Sequence, residues 1–147
     1  MTTSLYIVLR VGDAEYALLA VDVLVIEAFT GATPVPGVAP HVAGLVQVRG
    51  DVVPVVDLRV LFRVPETPPT ADSRVAVVTS AGRRVGLLVD AGREVVKLSP
   101  SVWKDPPELV SRQSRGFVRS IAHVGTRLLM LLDIERVVGT EALDGER

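Results

Sequence analysis

Two aspartates, Asp57 and Asp133, stand in matching contexts, V-V-P-V-V-D-L-R (52–59) and L-L-M-L-L-D-I-E-R (128–136). Paired carboxylates are the first arrangement to test for general acid–base chemistry. Each aspartate, however, closes an apolar run and opens a short amphipathic segment, Leu58–Phe62 and Ile134–Val138. There a carboxylate accepts from the unpaired N–H groups of a first helical turn. Capping accounts for both, and nothing in their spacing requires them to meet. His41 follows Pro40 and His123 lies in an apolar run, and neither has the spaced companions of a zinc site. With no cysteine in the chain, thiolate ligands, disulfides and cysteine nucleophiles are excluded. The glycines match no phosphate-binding pattern, and no serine sits in a nucleophile elbow. The sequence therefore assigns no catalytic residue, no metal ligand and no cofactor.

What remains is recognition, and it centres on Gly44–Phe62. Two apolar β-rich runs, Leu45–Val48 and Val52–Val56, flank Arg49-Gly50-Asp51, a pattern that predicts a tight hairpin with Gly50 supplying positive φ. Pro54 has no N–H to give a ladder, which predicts an edge strand or a free N–H position. An arginine on a stiff turn beside an edge strand makes a recognition surface. Arg49 is its polar anchor, and Val53, Pro54 and Val55 are its strand. Trp103, in a proline-rich segment, reads as the plug of a barrel end rather than an interface anchor.

The elements that must position these residues are mostly strands. The 147 residues suit one domain or two small ones sharing a core, and 48% are apolar. Net charge is −1 with the charged residues scattered, so no basic face points to nucleic acid. No apolar run approaches the ~20 residues of a membrane span, and Leu5–Val11 is too short for a signal-peptide core. The expected location is the cytoplasm, without membrane insertion. Strands are predicted at 5–11, 15–18, 21–29, 45–48, 52–56, 74–79, 84–89, 94–98, 116–124 and 127–132. Segment 31–40, with three prolines, is an extended connection, 65–72 a linker, and 99–113 a long loop or a loop with one irregular turn. The tail from Thr140 reads as polar and frayed.

The two halves echo each other. V-G-D-A-E-Y-A-L-L-A-V-D (11–22) parallels A-G-R-R-V-G-L-L-V-D (81–90), and 50–61 parallels 125–138. Such self-similarity in two copies predicts a pair of related β-barrels packed together, with halves at about 5–64 and 73–139 of a single 1–147 domain and strands open to exchange between them.

In this order the residues carry a family resemblance. Gly44, Leu45, Val46, the Arg49-Gly50 turn, the Pro54-containing strand and Asp57-Leu58-Arg59 are preceded by T-P-V-P-G-V-A-P-H-V-A-G (33–44). They are followed by R-V-G-L-L-V-D (84–90), Glu94-Val95 and L-L-M-L-L-D-I-E-R. The sequence resembles the CheW-like adaptor domains of bacterial chemosensory systems from Leu5 to Val138. The resemblance implies a mostly β fold of two five-stranded SH3-like barrels with short helices and a hydrophobic groove at their junction. It also implies a non-catalytic, cofactor-free adaptor. Its partners would be the regulatory domain of a CheA-type histidine kinase and the helical tip of methyl-accepting chemoreceptors. Two positions depart from the family's pattern: Gln47 stands where Asn is common, and Val25 where a glutamate can pair with the turn arginine. The resemblance thus implies Val25 and Ile26 as apolar surface beside the turn. The second departure leaves Arg49 short of its expected partner, with Glu27 or Asp51 as substitutes, and implies altered partner choice. A divergent adaptor linking another pathway, and a small-molecule-binding β-barrel, are the rival readings. Exposed barrel edges would also permit self-association.

Overall fold

The computed structural model describes residues 2–65 and 67–140, and its strands are organised as four hairpins. These are β1 (Ser4–Val11) with β2 (Ala14–Leu19), β4 (Val42–Val48) with β5 (Asp51–Asp57), β6 (Arg74–Ser80) with β7 (Arg83–Val89), and β9 (Val118–Val124) with β10 (Arg127–Leu132). In each, the register leaves a two-residue turn containing one glycine. Arg49-Gly50 and Ala81-Gly82 have positive φ at both turn positions, the type I′ geometry whose twist matches that of paired strands. Strands β3 (Val23–Ala28) and β8 (Ala91–Leu98) stand between hairpins, and helices α1 (Leu58–Leu61), α2 (Glu108–Gln113) and α3 (Ile134–Gly139) complete the fold.

Two of the four hairpins, β1–β2 and β6–β7, do not stay in their own halves. One sheet runs β8-β1-β2-β10-β9 and the other β3-β6-β7-β5-β4. Replacing each strand by its counterpart five places along the chain turns one order into the other, so the sequence echo corresponds to matched positions in two barrels. We call the first sheet barrel A and the second barrel B. The β1–β2 hairpin joins barrel A through parallel pairing of β2 with β10 (Ala17 opposite Leu131). The β6–β7 hairpin joins barrel B through parallel pairing of β7 with β5 (Gly86 opposite Val55). A Cβ on Gly86 would come within 2.7 Å of Val75 Cγ1, so this crossing requires glycine.

Burial follows the period of two expected of strands, but with both faces covered. On β6, Val75 and Val77 fill barrel B while Ala76 and Val78 enter a core shared by the two barrels. On β7, Leu88 faces barrel B, and Val85, Leu87 and Val89 face the shared core. Leu9, Val11, Tyr16 and Leu18 enter that core from the opposite hairpin, with Phe117, Val137 and Val138.

Each barrel is closed by a single bridge. Thr33 exchanges two hydrogen bonds of 2.8 Å with Leu45, and Lys104 exchanges bonds of 2.8 and 2.9 Å with Ile121. Gly44 sits under the first crossing at φ 139°, where a Cβ would fall inside the Thr33 carbonyl oxygen. At the second, half-buried Trp103 precedes Lys104 and packs on Tyr6 in a tilted arrangement, with ring centroids 5.2 Å apart and planes at 58°.

Several expectations are corrected. The strand holding Pro54 is not an edge, because β5 lies between β7 and β4. Alternation from the turn puts Pro54 in a non-hydrogen-bonded pair with Leu45, and the parallel ladder to β7 begins only at Val55, so its missing N–H breaks neither ladder. The long loop at 99–113 contains α2, whose six residues are too few to show helical periodicity. Thr140 is buried rather than frayed, accepting at its carbonyl from His41 Nε2 at 3.0 Å if that nitrogen carries the proton. The rest of the expected tail, 141–147, lies outside the described residues.

Both aspartate caps form. Asp57 Oδ1 accepts from the Arg59 N–H at 2.9 Å, and Asp133 Oδ1 from the Arg136 N–H at 3.1 Å. Arg59 then turns inward to pair with Asp90 at the end of β7, both side chains being largely buried. Asp90 also accepts the Gly12 N–H at 2.6 Å, tying α1, β7 and the β1–β2 turn together.

Two stability outcomes follow. Gly44→Ala should cost at least twice as much as Gly50→Ala, whose Cβ meets open space and whose penalty is the left-handed backbone alone, about 1–2 kcal/mol. Asp90→Ala strands the Arg59 charge in a buried site and should cost about 3 kcal/mol. Asp51→Ala, at an exposed ion pair, should stay within about 0.5 kcal/mol of wild type. Urea denaturation measures all four, and equal losses for either pair would contradict the assigned contacts.

Candidate functional site

The expected recognition residues divide into a surface and its support. The I′ turn lifts Arg49 and Gly50 clear of barrel B, leaving the Arg49 side chain 73% exposed. A depression of about 320 Å³ beside the turn is lined by Arg49, Val25, Val53, Leu24, Asp51 and Arg84, among others. Val25 is half-buried at its wall, and Leu24 and Val52 are exposed apolar neighbours, at 49% and 65%. Val53 and Val55, expected on the surface, are core residues at 2% and 0% exposure: the alternation along β5 points them into the barrel. Pro54 is half-buried on the opposite face of that strand. Ile26, one residue beyond Val25, points the other way, toward the shared core, and lies near Gly92 of barrel A, whose Cβ position is 3.9 Å from Ile26 Cγ2.

Arg49 is not left without an acid. Its Nε lies 4.0 Å from Glu27 Oε2, at the outer limit of an ion pair and between exposed groups. Asp51, the other expected substitute, is taken by Arg84 at 2.6 Å. Because side chains alternate along a strand, Glu27 shares the face of Val25, a period-two signal that the sequence already carried. Leu24, Val52 and Arg84 are the surface residues that the sequence reading missed. All three stand on strand faces whose exposure depends on pairing between distant segments.

Barrel A offers an internal comparison. Counting back equally from the two capping aspartates reaches Asp51 in barrel B and Arg127 in barrel A. Asp51 pairs with Arg84 of β7, while Arg127 pairs with Glu15 of β2 through bonds of 2.9 and 3.0 Å, the same site with charges reversed. Arg127 also meets Glu94 at 2.7 Å. Glu94 lies opposite Val8 as Val25 lies opposite Val77, and these two partners are equally far from their hairpin turns. Barrel A therefore keeps a glutamate where barrel B has Val25. Hydrogen bonds to Glu15 and then to Glu94 hold the Arg127 pKa above the ordinary arginine value. That arginine is locked, and Arg49 is loosely held.

Among the described residues there is no group of three or more His, Asp or Glu able to hold a metal ion, and no helix is long and apolar enough to cross a membrane. Two strand-exchanged barrels presenting an arginine turn beside apolar side chains define a scaffolding module that works through protein contacts. A CheW-like domain model matches residues 5–142, and the chain belongs to that family. It is 32% identical to the chemotaxis protein CheW of Bacillus subtilis over 136 residues, 92% of this chain and 87% of that one. It is 31% identical to the CheW of Rhizobium meliloti over 135 residues, with the same coverage of each. The crystal structure of the scaffolding protein TtCheW from Thermoanaerobacter tengcongensis superposes with a TM-score of 0.84 at 26% identity, covering 90% of each chain. The chain is a non-catalytic chemotaxis scaffold of the coupling type.

The loose pairing of Arg49 has a measurable consequence. Arg49→Ala should leave the urea midpoint nearly unchanged, with a loss of at most about 0.5 kcal/mol. Arg127→Ala removes a charge held by two carboxylates and should cost more than Arg49→Ala. Equal midpoints for the two variants would show that the barrel A triad is no tighter than the Arg49 pair.

Proposed function

We propose that this protein couples the regulatory domain of a CheA-type histidine kinase to the helical tip of a chemoreceptor, in the cytoplasm and without a cofactor. The kinase's barrel docks on the turn of barrel B, with Arg49 as polar anchor, Gly50 shaping its approach, and Leu24, Val25 and Val52 as apolar surround. Val53, Pro54 and Val55 contribute as the rigid strand beneath rather than as direct contacts. The receptor helix lies at the junction of the barrels, near Ile26 and Gly92, as a helix laid in a groove. The observation that carries this reading is the exposed Arg49, held on a stiff turn by one weak ion pair beside solvent-facing apolar side chains. A guanidinium held by so weak a pair gives up little when a partner's carboxylate replaces Glu27, which offsets the cost of ordering its side chain.

Val25 and Glu27 favour a retuned choice of partner within this role. The acid that faces Arg49 comes from two residues further along β3, so charge and apolar surface are offset relative to the family's pattern.

Calorimetric titration with the kinase regulatory domain, using a receptor-tip fragment as second ligand, tests the proposal. Saturable kinase binding is expected, weakened about tenfold or more by Arg49→Ala at unchanged stability. Val25→Glu should shift the affinity for at least one partner. Unaltered affinities in both variants would place recognition elsewhere. No kinase binding by folded protein would mean that the scaffold serves a different pathway.

A further inference from the structure

A cavity of about 240 Å³ lies away from the Arg49 surface, where the ends of α1 and α2 approach barrel A. Its walls are Tyr16, Phe62, Phe117, Val110 and Met130, and its rim carries Arg63 and Arg115. The aromatic rings form a chain, with Tyr16 and Phe62 centroids 5.1 Å apart and Phe62 and Phe117 5.9 Å apart. The Arg115 guanidinium stands 5.1 Å above Phe117 and donates to the Leu61 carbonyl.

The two rim arginines occupy unusual backbone positions. After α1, the Arg63 N–H bonds to the Val60 carbonyl (3.1 Å) and the Val64 N–H to the Arg59 carbonyl (2.9 Å). After α2, the Arg115 N–H bonds to the Arg112 carbonyl (3.1 Å) and the Gly116 N–H to the Ser111 carbonyl (3.1 Å). Both are Schellman endings, whose left-handed position favours glycine, yet Arg63 (φ 60°) and Arg115 (φ 54°) fill it. Two strained backbone positions thus bring two cations to the mouth of one apolar cavity.

The charges are close enough to feel each other. The Arg115 pKa is lowered, first by desolvation and then by the charge of Arg63. Although most of Arg115 is exposed, the desolvation fits its seat over Phe117 and against Leu61. Among the described residues, no carboxylate forms an ion pair with either arginine at the rim. Aromatic walls select a flat apolar body, and two uncompensated guanidinium groups select an anion. An apolar cavity of about 150 Å³ already admits benzene, so this one has room for a ring with a short acidic arm.

We propose that this cavity binds a small aromatic carboxylate, its ring against Phe62 and Phe117 and its carboxylate between Arg63 and Arg115. Such a site would make the scaffold responsive to a metabolite independently of its protein partners.

The test is a two-dimensional amide NMR titration of the full-length protein with phenylacetate, and in parallel with neutral phenylacetamide. Phenylacetate should give saturable shifts at Phe62, Arg63 and Ser114–Val118, and bind at least about tenfold more tightly than the amide, the loss of one charge-assisted hydrogen bond. Arg63→Gly removes one charge while relieving its left-handed strain, so the variant folds and should lose about tenfold in affinity for phenylacetate. A thermal melt confirms its fold. Equal binding of acid and amide, unsaturable or dispersed shifts, or wild-type affinity in Arg63→Gly would each overturn the proposal.

Discussion

The structure depends on two hairpins that must be buried on both faces. β1–β2 and β6–β7 each leave the half of the chain that encodes them, complete the other barrel, and turn their outward side chains into a common core. Apart from their ends, neither hairpin has a solvent face, so each depends on both barrels for its burial. The fully buried Leu9, Leu18, Val78 and Leu87 illustrate the scale. Each is a large apolar side chain whose burial contributes about 1.5–3 kcal/mol, and all of it is lost if the barrels separate. The Arg59–Asp90 pair adds direction to this attraction by fixing α1 against the end of β7 and the turn of the exchanged hairpin.

Duplication gives the two barrels the same frame, and charge makes them different. The matched sites are Asp51 with Arg84 in barrel B and Arg127 with Glu15 and Glu94 in barrel A. A guanidinium shared by two carboxylates is a poor handle for a partner, because its donors are already engaged. An arginine at the limit of one weak pair is a good one. The matched hairpin sites therefore share a frame but carry opposite polarity.

Much of this was legible in the chain because much of it is local. Gly50 and Gly82 mark turns by their φ requirement, and Asp57 and Asp133 mark helix starts by their capping geometry. These signals need only neighbouring residues, and they placed nearly every strand. The burial of Val53 and Val55 was not legible. It depends on which face of β5 meets the barrel, and that is set by β7, some thirty residues on. Pro54 was half legible for the same reason: its missing N–H predicted an edge strand or a free N–H position, and only the register selects the second. The Glu27 contact lies between. Its face could be counted from Val25, but its distance from Arg49 required the β3–β6–β7–β5–β4 order.

The exchange of hairpins also fixes the order in which the molecule can come into being. Barrel B needs β3 to β7 and can close once residue 89 has been added, since its last pairing is β7 with β5. The β1–β2 hairpin, though made first, has no sheet to join until β8, β9 and β10 exist. Its Leu9, Val11, Tyr16 and Leu18 share a core with barrel B residues such as Val78 and Leu87, but also with Phe117, Val137 and Val138 from much later in the sequence. Pairings so distant in sequence slow folding, because loop closure costs entropy before any contact repays it. A scaffold that holds other proteins together is thus itself held together by pairings between segments far apart in its sequence.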